Sequence, residues 1–404
     1  MKRSTKHEYA IFIGMNLNRL TAVLTLTSFL FLPVLNAEHP FKISPDLDEA
    51  IKAGLNELYN FNFEKSLAIF DAIKDEETEH PMVAFGVAST HWWRISSYVL
   101  EADPEESAAF LDSVQNCIKL SEQMIKNGDS TGEGHLVLGG ALGLLGRWQA
   151  TNRQWMSAYF GGKKAYRHLS KALKINPQLK DAYMGKGIFD YFVDTLPAVI
   201  RTLVFIGQGG DPKVGLSELE EAANHGIYSK TPSKLFLTQI YTESEKKPEK
   251  ALEVLNSLRL DHPQSPFIHM MKIIGLYNAH QTEELRRDAF EFKKNVDLKI
   301  YSSDFSSEAH FAMALANFKE KKWKEASKYF DMARTSGNDK NPWRTWAALY
   351  LGYCYDALEQ REEAVQQYKW VLKQLRRWGS HDHAKAHLSR PFKESDPEIN
   401  KLEI

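Results

Sequence analysis

Only two cysteines, Cys117 and Cys354, occur in the 404 residues. A disulfide framework needs more of them and a metal site needs them clustered, so each is read as a small core residue in an apolar helical pattern. A dominant charge is missing as well: 51 Lys and Arg face 52 Asp and Glu, for a formal net charge of −1. Residues 1–37 hold four basic residues against one acidic, which leaves −4 for the remainder. A general nucleic-acid binder carries a more basic balance, so no nucleic-acid partner is expected. Beyond the N-terminus no apolar run is long enough to span a membrane. The best, Leu196–Ile206, has about half the needed length and contains Arg201. After residue 45 no run alternates apolar and polar residues between turn signals, so strands are not expected. Catalytic signatures are also lacking. There is no Ser-His-Asp or Cys-His motif, and Gly207-Gln208-Gly209-Gly210-Asp211-Pro212 lacks the Gly-Lys-Ser/Thr ending of a phosphate loop. That segment reads as a tight loop in which Asp211 caps a helix and Pro212 takes its first position. No cofactor and no metal are expected.

Aromatic residues make up 12% of the chain, which excludes disorder over most of its length. Its length exceeds what one core usually fills, so it implies several domains or one elongated array. At the N-terminus, Arg19 precedes the uncharged apolar stretch 20–35, which Pro33 breaks and Ala37 follows. These are the parts of a secretory signal, with cleavage expected after Ala37 and export to the periplasm or the medium. Met15 offers an alternative start. No Cys stands at the cleavage point, so a lipid anchor is not expected.

From residue 45 onward apolar residues recur at three and four spacings, punctuated by Pro, Gly and Asn-Pro, which is an all-α pattern. The helices come in pairs. The clearest pair reads Leu351-Gly352-x-x-Tyr355, then Ala364-x-x-x-Tyr368 and Val371. The pair before it places Ala314 where Gly352 stands, 38 residues earlier, followed by Ala326-x-x-x-Phe330-x-x-Ala333. Further units show Gly54 with Ser66-x-x-x-Phe70, Ala165-x-x-x-Leu169-x-x-Ala172, Gly215-x-x-x-Leu219-x-x-Ala222 and Ala251-x-x-x-Leu255-x-x-Leu258. Small residues on paired helices let their backbones approach, and a large side chain fills the space beside them. Residues 81–150 and 266–297 look helical but match poorly.

With these residues the chain resembles the tetratricopeptide-repeat (TPR) superfamily, and within it an exported bacterial protein. Good matches cover 47–79, 160–263 and 304–378. Ala348 departs from the family pattern, which has Trp there. The resemblance implies a right-handed superhelix, or solenoid, of antiparallel helix pairs, interrupted by an insertion near 190–211. The implied organisation is a signal peptide at 1–37, an irregular N-terminal region at 38–228, a C-terminal array at 229–380 and a polar, solvated tail at 381–404. Stacked pairs share their stability and curve into a concave face, which in this family the first helix of each pair lines. By motif position that face presents Glu308, Phe311, Leu315 and Phe318 from one unit, and Trp346, Leu349, Tyr353 and Asp356 from the next. Aromatics among charges suit a protein or peptide partner.

The expected function is therefore a non-catalytic interaction scaffold outside the cytoplasm. The alternative is a carbohydrate-binding protein or cell-wall enzyme. Its site would lie in the Trp-rich region 91–155, which contains His91-Trp92-Trp93-Arg94, Arg147-Trp148, Trp155, Glu133 and His135. His381, His383 and His387 form the densest histidine group and read as part of the solvated tail.

Overall fold

Proline starts many helices of this chain, and residues in left-handed geometry turn them back. The computed structural model describes residues 39–73, 80–98, 104–193, 210–337, 341–374, 379–399 and 402. The signal stretch 1–37, Leu196–Ile206 and the helix end at Arg376-Arg377-Trp378 lie outside them. Seven α-helices open on proline, whose fixed φ suits the first turn and whose missing N–H is not needed there. Ser44, Asp211, Ser265 and Asn341 each cap such a helix by accepting a backbone N–H. Asp211 and Pro212 thus take the places expected of them.

All regular structure among the described residues is helical, and it falls into antiparallel pairs. The first pairs are α1 (Pro45–Tyr59) with α2 (Phe63–Ala72), α3 (Pro81–Tyr98) with α4 (Pro104–Lys126), and α5 (Glu133–Thr151) with α6 (Trp155–Ile175). The middle pairs are α7 (Ala182–Phe192) with α8 (Pro212–His225) and α9 (Lys230–Gln239) with α10 (Pro248–Asp261). The last are α11 (Pro266–Asn278) with α12 (Thr282–Asp297), α13 (Ser306–Lys319) with α14 (Trp323–Thr335), and α15 (Pro342–Ala357) with α16 (Arg361–Val371). A single helix, α17 (Ser380–Ser389), follows. Six of the turns within pairs carry a non-glycine residue at positive φ: Phe61, Arg153, Lys246, His280, Lys321 and Glu359, between 53° and 64°. The recurrence of one turn geometry marks the pairs as repeats of one unit.

Packing within the pairs follows the small-residue rule. A Cβ on Gly54 would lie 2.6 Å from the Phe70 ring, and one on Gly352 would lie 2.4 Å from Tyr368. Gly139 sits the same way against Leu169, at 2.6 Å, so α5 is the partner that the motif on α6 lacked in the sequence. Gly187 and Gly215 bring α7 and α8 into backbone contact despite the long connection between them.

Each pair packs on the next, and residues Ile43–Ile404 form one compact unit. The described residues 39–42 belong to a separate unit, where His39 Nδ1 lies 3.1 Å from Phe41 O. Within the large unit the array curls back on itself. Phe61 in the first turn stacks on Phe267 of α11 at 4.9 Å. Ser265 Oγ donates to Tyr59 O at 2.7 Å, and Tyr228 Oη donates to Asp48 at 2.6 Å. Asp181, just before α7, accepts the backbone N–H groups of Ile227, Tyr228 and Ser229, which fixes the loop that closes this contact. Cys117 and Cys354 are both buried, as expected of core residues.

The stretch from Ser380 corrects the expectation of a solvated tail. His387 is buried, His383 lies 6.0 Å from the Trp346 ring, and Phe392, Ile399 and Leu402 are buried on the array. Three widely spaced apolar residues among charges are enough to dock a segment that composition alone describes as polar. Among the described residues no helix is long and apolar enough to cross a membrane, and no group of three His, Cys, Asp or Glu side chains is placed to hold a metal.

Candidate functional site

The first helices of successive pairs, α1 through α15 in odd numbers, share one side of the array. Arg147 locates that side in the N-terminal half. It sits on α5, yet its guanidinium lies 5.4 Å from the Trp92 ring of α3 and 4.7 Å from the Phe236 ring of α9. One side chain reaches both the preceding first helix and one two pairs further on only if all three curve toward it. This is the inner face.

In the C-terminal half the eight residues expected to line that face are brought together, but in the core. Glu308, Phe311, Leu315, Phe318, Trp346, Leu349, Tyr353 and Asp356 are all buried. They are not open lining residues, which corrects their expected exposure. Phe311 meets Phe330 and Trp343, and Phe318 meets Trp323 and Tyr350. The inner side of α13 and α15 is then covered by the chain's own C-terminal segment. Phe392 stacks on Tyr353 at 4.7 Å, and its N–H donates to Asp356 at 2.8 Å. Asp356 also accepts from Arg361 Nη1 at 2.9 Å and from Tyr368 Oη at 2.7 Å.

The segment continues across α13 to α11. Lys319 Nζ donates to Ile399 O at 3.2 Å, and Tyr277 Oη donates to the same oxygen at 2.9 Å. Asn278 grips Leu402 twice, its Nδ2 donating to the carbonyl at 3.2 Å and its Oδ1 accepting the N–H at 2.7 Å. Most of these bonds go to main-chain groups, so they recognise extended chain more than particular side chains. Burial pushes the Lys319 amine down to about 8. Tyr277 and Asn278 were missed in the sequence because 266–297 departs from the repeat pattern, and Lys319 because it stands at the end of α13, outside the motif positions. The signal that was present is the apolar trio Phe392, Ile399 and Leu402.

Burial pushes the Glu308 carboxyl up to about 7, although Asn341 Nδ2 donates to it at 3.1 Å. A carboxyl with a raised folded-state pKa favours folding fully below its ordinary value, and that contribution is lost as pH rises through the folded-state value. Stability is therefore expected to fall by up to ~3 kcal/mol between pH 4.5 and about 7, then level off. Glu308→Gln is expected to remove this slope and to be the more stable protein at pH 8. Urea unfolding of both proteins across the pH range checks it, and parallel slopes would count against it.

The Trp-rich region is mainly packed. Trp92 is buried, Trp93 stands edge-on to Tyr59 at 6.0 Å, and Trp148 lies 6.4 Å from Phe110. Arg94 pairs with Glu64 and Glu106, and His91 Nδ1 lies 2.6 Å from Glu106. Trp155 is the exposed one. Glu133 is buried, with His80 Nε2 3.6 Å away. His135 and His168 meet through their Nδ1 atoms at 2.9 Å, and burial lowers the pKa of both. A shifted group is one mark of an enzyme site. Here it belongs to a buried ring whose nitrogen already has a partner.

No family model matches the chain, and no curated protein matches it. Among solved structures it is similar to Rap protein complexed with competence and sporulation factor, at 11% identity and a TM-score of 0.41, covering 85% of this chain and 78% of that one. It is similar to the human IFIT1 dimer with PPP-AAAA at 15% identity and a TM-score of 0.43, covering 86% and 85%. It is also similar to the P58(IPK) TPR domain at 17% identity and a TM-score of 0.21, covering 85% and 97%. At these values the comparisons identify no ligand, and the expectation of no nucleic-acid partner rests on charge alone. Among the described residues the chain is an all-α array of stacked antiparallel helix pairs.

Proposed function

We propose that this protein is a non-catalytic scaffold that works outside the cytoplasm and holds a protein or peptide segment on the inner face of its helical array. The observation that carries this reading is the C-terminal segment itself. Phe392, Ile399 and Leu402 lie on α15, α13 and α11, held through main-chain groups by Asp356, Lys319, Tyr277 and Asn278. A face that takes extended chain from its own C-terminus is chemically suited to taking it from a partner. Where that segment lies the face is filled, which leaves the inner face near Arg147 and Phe236 for another chain. Export rests on the signal pattern at 1–37 and the small residue Ala37.

Photo-crosslinking tests the binding reading. Benzoylphenylalanine replaces Phe236 on the inner face in one protein and Leu260, exposed on α10, in another. Exposed to its own envelope fraction, the first is expected to crosslink a discrete protein that the second does not. Crosslinks from Leu260 alone, or the same set from both, would overturn the inner-face assignment. N-terminal sequencing of the protein recovered outside the cytoplasm tests export, with Glu38 as the expected first residue.

A further inference from the structure

Arg147 and Gly143 stand one helical turn apart on α5, and packing explains neither. Arg147 is exposed, yet it lies between the rings of Trp92 and Phe236. Its guanidinium has no hydrogen bond to any carboxylate or carbonyl among the described residues. Partial desolvation by the surrounding protein pushes its pKa down only to about 10, so it stays charged at neutral pH. Its five N–H donors are met by solvent alone, and an anion that replaced that water would gain charge-assisted hydrogen bonds. The two rings orient the guanidinium plane and leave those donors open.

Gly143 supplies the second observation. Its neighbours have packing reasons: Gly139 receives Leu169, a Cβ on Gly140 would lie 3.1 Å from the Phe85 ring, and one on Gly146 would lie 3.4 Å from Ala158 O. A Cβ on Gly143 would meet no described atom within 4 Å, and the residue is exposed. Glycine inside a helix weakens it and is used where a backbone must come close. Here the space beside it belongs to no described part of the protein.

We infer that Arg147 and Gly143 form a binding site for a carboxylate side chain of an acidic peptide, with the guanidinium taking the carboxylate and the bare turn at Gly143 admitting the peptide backbone. The inference rests on the scaffold reading and names the chemistry of its ligand. A carboxylate fits better than a phosphate dianion for two reasons. One guanidinium balances one negative charge. Arg147 also lies near the C-terminal end of α5, where the helix dipole favours a cation and disfavours a doubly charged anion.

The test uses the full chain labelled with 15N-arginine, with the Arg147 Nε–Hε signal assigned by its loss in Arg147→Gln. The probes are acetyl-hexaglutamate amide, acetyl-hexaglutamine amide and inorganic phosphate. Hexaglutamate is expected to move the Arg147 signal saturably, with a Kd below about 1 mM. Hexaglutamine is expected to leave it in place, and phosphate to bind at least about tenfold more weakly. Gly143→Leu is expected to weaken hexaglutamate about tenfold or more with no loss of thermal stability. The proposal is overturned by an unmoved signal with hexaglutamate, by equal responses to the two peptides, by tighter phosphate binding, or by full hexaglutamate binding in Gly143→Leu. If Phe236 crosslinks a partner while hexaglutamate fails, the carboxylate site falls and the scaffold stands. Hexaglutamate binding without any crosslink sinks the scaffold reading instead.

Discussion

Asp356→Ala is expected to lower stability by about 3 kcal/mol, among the largest effects of any single substitution in this chain. The carboxylate is buried and is shared by three donors: Arg361 Nη1, Tyr368 Oη and Phe392 N–H. Alanine leaves the tyrosine hydroxyl and the backbone N–H with no acceptor inside the core, and it strips Arg361 of its anion. Arg361 keeps its bonds to the His387 and Leu388 carbonyls and is one-third exposed, so the loss falls at the low end for a broken buried pair. Asp356→Asn keeps an acceptor and is expected to lose roughly half as much. Denaturant unfolding of the three proteins checks the order. Equal stability of wild type and Asp356→Ala would mean that the C-terminal segment is not held at this point.

Gly187→Ala is expected to cost about 2–3 kcal/mol, an unusual penalty for adding one methyl group to a helix. Its Cβ would lie 2.7 Å from Gly215 O and 3.0 Å from Leu219 N, both backbone atoms of α8. Backbone in a packed helix cannot step aside as a side chain end can, so α7 and α8 must separate. Gly143→Ala is the matched control. Its added methyl meets open space, so helix propensity alone acts and a gain of roughly 0.5–1 kcal/mol is expected. Urea midpoints give both values, and the opposite signs of the two changes are the test. A loss at Gly143 equal to that at Gly187 would show that the close approach of α7 and α8 is not what sets the penalty.

Much of the fold could be read from spacing, because close packing writes itself into sequence as small residues at fixed distances. Gly352, Ala364 and Tyr368 meet as their positions suggest, and so do Gly54 and Phe70. The pair α5–α6 was harder to see. Its helices run 19 and 21 residues, so Gly139 and Leu169 stand much further apart in sequence than in the regular units. The eight expected binding residues were assigned to the right helices and the wrong environment. Burial of Tyr353 and Asp356 depends on Phe392, whose docking no local pattern announces. The clamp of Asn278 on Leu402 joins residues 124 positions apart, and Arg147 becomes notable only once α3 and α9 are seen beside it.

The most direct test of the claim that the inner face grips extended chain is amide hydrogen exchange at Phe392 and Leu402, whose N–H groups donate to Asp356 and Asn278. Both amides are expected to exchange far more slowly than in a free peptide of the same sequence. Asn278→Ala is expected to release Leu402 while leaving the amides of α5 protected. Exchange of both amides at the free-peptide rate in the wild-type protein would contradict the account, because the segment would then not lie on the face at all.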